Sequence, residues 1–99
     1  MIMTILEANV TSHRYDDLKN AYQKGTHSLP PQLVETFLVR SAANPDTWRI
    51  ITIWKSREAL EEMRRSTEVP SGILMFRAAG AEPSLSIFEV ESHHRNPAG

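Results

Sequence analysis

The chain is 99 residues long, which supplies one hydrophobic core and leaves no room for a second. Its 40% hydrophobic and 23% charged residues, with four glycines and six prolines, exclude a disordered tail, a collagen-like repeat and a low-complexity linker. Eleven basic against twelve acidic side chains leave a net charge of −1, which selects no nucleic-acid partner, and the lack of cysteine excludes disulfides and thiolate chemistry.

Residues 1–7 carry no basic leader and meet Glu7 before an apolar signal segment could form. No apolar run approaches the roughly 18–20 residues that cross a bilayer, so a cytoplasmic protein with no membrane partner is expected. Residues 2–10 read as a strand, with Ile2, Leu6, Ala8 and Val10 on one parity and Met3 and Ile5 on the other. Apolar residues on both parities imply cover on both faces, interrupted on the second by Glu7 and Asn9. A helix is expected over about 13–24, with Ser12 as its N-cap and Asp16 and Asp17 in its first turns. Tyr15, Leu18, Ala21 and Tyr22 form its apolar stripe, and Gly25 is placed to end it in the left-handed region. Pro30-Pro31 makes 26–31 a loop.

Residues 33–42 form the second expected strand, with Leu33, Phe37 and Val39 on one side and Val34 and Leu38 on the other. Asn44-Pro45-Asp46 is a turn signal, and 48–55 is the clearest strand of the chain, apolar on both parities. The two strands make a hairpin. Ser56 caps a second helix that turns Ala59, Leu60 and Met63 inward and leaves Glu61, Glu62, Arg64 and Arg65 on a solvated face. Pro70 and Gly72 break the chain, 73–79 reads as a short third helix, and 85–91 as the last strand. Residues 92–99 have no apolar periodicity and read as a disordered tail beyond a single domain at 1–91.

This order is the ferredoxin-like βαββαβ arrangement, an α+β fold with a four-stranded antiparallel sheet and helices on one face. Ile51 and Ile53, opposed to Trp48, Ile50 and Trp54, make the helix-free face apolar as well. A second copy of the same sheet is the simplest cover for such a patch, so a homodimer is expected.

Over nearly all of 2–91 the chain resembles the antibiotic biosynthesis monooxygenase family of the dimeric α/β-barrel superfamily. The resemblance is carried most by Asp46-Thr47-Trp48-Arg49-Ile50-Ile51-Thr52-Ile53-Trp54-Lys55-Ser56-Arg57-Glu58-Ala59-Leu60, a turn, an apolar strand ending in tryptophan and a Ser-x-Glu-Ala-Leu-type helix start. It implies a dimeric α/β barrel with a ligand pocket in each subunit between sheet and helices. Relatives oxidise polycyclic aromatic phenols without metal or flavin, or degrade haem. In the haem-degrading relatives the site is an asparagine on the first strand, a tryptophan ending the third and a histidine about ten residues later. Asn9 and Trp54 match, but positions 63 and 64 are Met63 and Arg64, so the axial imidazole is missing and haem is not expected.

The cofactor-free branch needs a dry aromatic pocket, a proton acceptor and donors for developing negative charge. Trp54 and Asn9 are candidates for the catalytic centre, with His27 as the base near neutral pH. Tyr15, Tyr22, Phe37 and Phe76 are candidates for the substrate walls. Each also has a structural reading: Asn9 as an edge residue, Trp54 and the tyrosines as core, His27 as an exposed loop residue. His13 and His27, with no carboxylate at ligand spacing, do not form a metal site, and no cofactor is expected. The expected activity is a cofactor-independent monooxygenase acting on a small aromatic or quinone-like ligand. The alternative is a non-catalytic small-molecule-binding or structural homodimer of the same fold.

Overall fold

The computed structural model describes residues 1–66 and 69–98; Gly99, the end of the expected tail, lies outside the described residues. Four strands, β1 (Ile2–Asn9), β2 (Leu33–Arg40), β3 (Thr47–Trp54) and β4 (Ser84–Glu89), form one antiparallel sheet in the order β2-β3-β1-β4. Three helices, α1 (Tyr15–Gly25), α2 (Arg57–Ser66) and α3 (Ser71–Ala78), complete the α+β fold. The two central strands are buried along their inward faces, where all residues but Thr4 and Thr52 are apolar.

Register fixes which side chains share a face. Ile2, Thr4, Leu6 and Ala8 of β1 pair with Trp54, Thr52, Ile50 and Trp48 of β3, and this parity lies under the helices. Met3, Ile5, Glu7 and Asn9 lie on the other side with Ile53, Ile51, Arg49 and Thr47. On β2 the expected sides need correction. A bulge between Leu33 and Glu35 leaves Val34 unpaired and resets the alternation. Leu33 therefore sits beside Trp54 on the helix side, whereas Phe37 and Val39 pair with Ile51 and Arg49 on the helix-free side.

The inward faces feed two separate clusters. Leu6, Ala8, Val10, Trp48 and Ile50 of the sheet meet Leu18 of α1 and Met75, Phe76 and Ala79 around α3. Phe76 and Leu18 are completely buried there, each stabilising the fold by about 2–3 kcal/mol. Ile2, Trp54 and Leu60 of α2 make the second cluster, flanked by Leu33 and Met63. Between the two, the inward row is occupied by threonines.

The helix ends show what the sequence got right and wrong locally. Ser56 does cap α2, accepting a hydrogen bond from Ala59 N–H at 3.0 Å. Ser12 instead opens a 3-10 turn, Ser12–Arg14, and makes no cap for α1. Gly25 is not left-handed; it ends α1 in helical geometry, and the Met75 methyl occupies the place a Cβ would take. The left-handed residue is Gly80 at φ 75°, where Gly80 N–H reaches Arg77 C=O and Ala81 N–H reaches Phe76 C=O. That is the Schellman closure of α3.

Candidate functional site

Where the two clusters part, the space between sheet and helices is not filled. It forms a cavity of ≈ 660 Å³, large enough for a polycyclic ring system. Its floor is the inward row of the sheet: Thr36, Thr52 and Thr4 on three adjacent strands, with Leu6 and Ile50 on one side and Trp54 on the other. Tyr22 and Gly25 of α1, Leu60, Met63 and Arg64 of α2, and Gly72, Ile73 and Met75 around α3 make the walls. The 73–79 segment thus belongs to both core and cavity: Met75 and Phe76 are buried, while Ile73 and Met75 also face the space. Leu85 and Ile87 of β4 line the cavity yet stay 45% and 39% exposed.

The polar groups of the floor are connected. Trp54 Nε1–H donates to Thr4 Oγ1 at 3.0 Å, which ties the indole to the neighbouring strand. Thr36 and Thr52 share a hydrogen bond at 3.3 Å between their hydroxyls. Arg64 brings a cation to the wall, loosely paired with Glu61 at 3.9 Å. Among the described lining residues there is no histidine, aspartate or glutamate, so the polar side chains a ligand meets here are hydroxyls, the Trp54 indole, the Gln32 carboxamide and one guanidinium.

The residues singled out from the sequence do not form one constellation. Trp54 and Tyr22 line the cavity. His27 lies on the loop between the lining residues Thr26 and Ser28 and is itself exposed at the rim. Asn9 pairs with Thr47 while Trp54 pairs with Ile2, so the two sit at opposite ends of β1 and β3, about 24 Å apart along the strands. They also lie on opposite faces; Asn9 accepts a hydrogen bond from the Thr47 hydroxyl at 2.8 Å at the exposed sheet end. Phe37 is 46% exposed on the helix-free face, put there by the bulge. Phe76 is sealed in the core.

Tyr15 packs on Trp48, with ring centroids 5.3 Å apart, under the Arg40 guanidinium. Its hydroxyl donates to Asp46 Oδ1, and that hydrogen bond holds the phenol above its usual range. This group closes the β2–β3 turn rather than the cavity. Sequence reasoning missed the three threonines and placed Arg64 on a solvated face. The signal available for the threonines was their parity: 4 and 52 alternate with apolar inward neighbours. Among the described residues no group of three histidine, aspartate or glutamate side chains could hold a metal, and no helix is long and apolar enough to cross a membrane.

Residues 1–71 match the family model for antibiotic biosynthesis monooxygenase. Solved structures of similar fold include SnoaB, a cofactor-independent oxygenase from Streptomyces nogalater, at 14% identity and TM-score 0.69, with 93% of this chain and 94% of that chain covered. A conserved protein of unknown function from Bacteroides thetaiotaomicron aligns at 18% identity and TM-score 0.70, over 90% and 96% of the two chains. A Deinococcus radiodurans protein, provisionally assigned as an antibiotic biosynthesis monooxygenase, aligns at 10% identity and TM-score 0.68, over 97% and 98%. At these identities the likeness is one of fold. No curated protein resembles the chain closely enough to count as a match.

Proposed function

The chain belongs to the antibiotic biosynthesis monooxygenase family, and on that premise we propose that its sheet–helix cavity binds a small, flat, largely apolar ring compound for monooxygenase-type oxidation. The observation that carries this reading is the ≈ 660 Å³ cavity floored by Trp54 and a threonine row. An electron-rich phenol or hydroquinone that loses a proton becomes an anion able to pass an electron to dioxygen. Where the ligand itself excludes water, any donor aimed at that anion is strengthened. Arg64 is placed to favour the ionised ligand, and Trp54, held by Thr4, gives a fixed aromatic wall. His27 at the rim remains our proposed proton acceptor, reached through the loop that carries Thr26 and Ser28. Asn9 is not included, because it opens onto the other face. We also infer a homodimer, with the helix-free face covered by a second copy.

A second reading has its own support. With no carboxylate or imidazole among the described lining residues, the cavity suits a binding protein that turns nothing over. Oxygen uptake with a panel of hydroquinones and polycyclic phenols separates the two. The enzyme reading expects uptake by the wild-type chain that falls at least about tenfold in Trp54→Ala, where the ring loses its wall. Binding of the panel with no uptake above the uncatalysed rate overturns the enzyme reading in favour of the binder.

A further inference from the structure

Three threonines stand in one transverse row of the sheet: Thr36 opposite Thr52, and Thr52 opposite Thr4. Thr4 and Thr52 are each only 8% exposed, and all three line the cavity. Threonine is common in strands, but its place here is unusual in what surrounds it. On β1 and β3 the inward positions flanking this row are Ile2, Leu6, Ile50 and Trp54, all buried. Valine would have the same shape and would spare the chain a buried hydroxyl.

The hydrogen bonds of the row can be counted. Thr4 accepts from Trp54 Nε1, so its own O–H proton remains to be donated. Thr36 and Thr52 share one proton between two oxygens, so one of their two O–H groups is also left to donate. Neither remaining proton has an acceptor among the described residues. The row therefore offers two hydroxyl donors to whatever occupies a mostly apolar space, one on β1 and the other on β3 or β2, one or two strand spacings of about 4.8 Å away.

We propose that the Thr4–Thr52–Thr36 row reads an acceptor oxygen on the bound ligand, and so sets which ring substituent lies against the sheet. The ligand class this selects is a flat ring bearing a carbonyl or an ionised phenol oxygen, in preference to the bare hydrocarbon. Thr4 has a second role as a positioning residue, because the same oxygen that holds Trp54 carries the donor. This inference rests on the cavity being the ligand site, and it adds the residues that discriminate among ligands.

The test compares two probes of nearly equal shape, menadione and 2-methylnaphthalene, which differ by two carbonyl oxygens; the chain has no cysteine for menadione to modify. Dissociation constants are measured by titration calorimetry for wild type, Thr4→Val, the double variant Thr36→Val/Thr52→Val, and Thr4→Ser. The double variant should weaken menadione about fivefold to tenfold while leaving 2-methylnaphthalene within about twofold, and Thr4→Val, which also frees Trp54, should weaken menadione about fivefold more than it weakens 2-methylnaphthalene. Thr4→Ser, which keeps the hydroxyl, should retain menadione affinity. Equal losses for both probes, or no loss for menadione, would overturn the proposal while leaving the cavity as the ligand site. Should Thr4→Val not fold, the double variant and Thr4→Ser still decide the question. If neither probe binds the wild-type chain, the cavity reading falls and this inference with it.

Discussion

Trp48 and Trp54 lie on one strand, face the same side of the sheet and are equally buried, yet only one indole N–H is satisfied. Trp54 Nε1 donates to Thr4, whereas Trp48 Nε1 is buried with no acceptor among the described residues. A buried unsatisfied donor costs about 1–3 kcal/mol, and a made hydrogen bond contributes about 1 kcal/mol. Replacing either ring by phenylalanine removes similar apolar area, so the difference between the two variants isolates the N–H. Trp54→Phe should therefore cost about 2 kcal/mol more than Trp48→Phe in urea denaturation, as a difference in midpoint at unchanged slope. Equal losses would contradict the assigned bond. None of this could be read from the sequence, where the two residues look alike. Thr4 and Thr52 were likewise hidden, because a threonine inside a β-branched strand reads as ordinary strand chemistry until the register aligns it with its neighbours.

At the level of elements the sequence carried the fold well, because each signal was local and strong. Asn44-Pro45-Asp46 turns β2 into β3, Ser56 starts α2, and the apolar 73–79 stretch is the helix that seals the core. What it could not carry was anything decided by one extra residue. The bulge at Val34 reverses the faces of everything after it on β2, which takes Phe37 from the expected pocket to the helix-free side. Asn9 shows the same limit: its parity was visible, but not which parity the helices would cover. Gly25 and Gly80 both stand at helix C-termini, and only the packing of Met75 and the return of Ala81 N–H to Phe76 tell their roles apart. At Gly80, with φ 75°, a Cβ would also come within 3.1 Å of Arg14 Nη1, while Arg14 Nη2 donates to Ala78 C=O at the end of α3. Gly80→Ala should lower stability by about 1–2 kcal/mol through the left-handed backbone. A denaturation midpoint indistinguishable from wild type would contradict that role.

The whole molecule exposes apolar surface on two sides for two different reasons. On the helix side, Leu85 and Ile87 of β4 line the cavity and remain exposed. On the helix-free side, Phe37, Val39 and Phe88 are exposed around Ile51, with the Glu7–Arg49 ion pair among the polar residues of that face. Such a patch favours pairing with a second copy of the sheet. Sedimentation equilibrium at micromolar concentration should then give twice the 11.2 kDa chain mass, and Phe37→Glu, at a site exposed in the single chain, should return it to the monomer. A wild-type monomer at that concentration would contradict the pairing. Ligand binding, however, turns on the cavity. The two tryptophans give two indole N–H signals in a nitrogen–proton correlation spectrum, assigned through Trp48→Phe. Titration with menadione should shift the Trp54 signal progressively and leave that of Trp48 in place; a shift confined to Trp48, or no shift in either, would contradict a ligand site between sheet and helices.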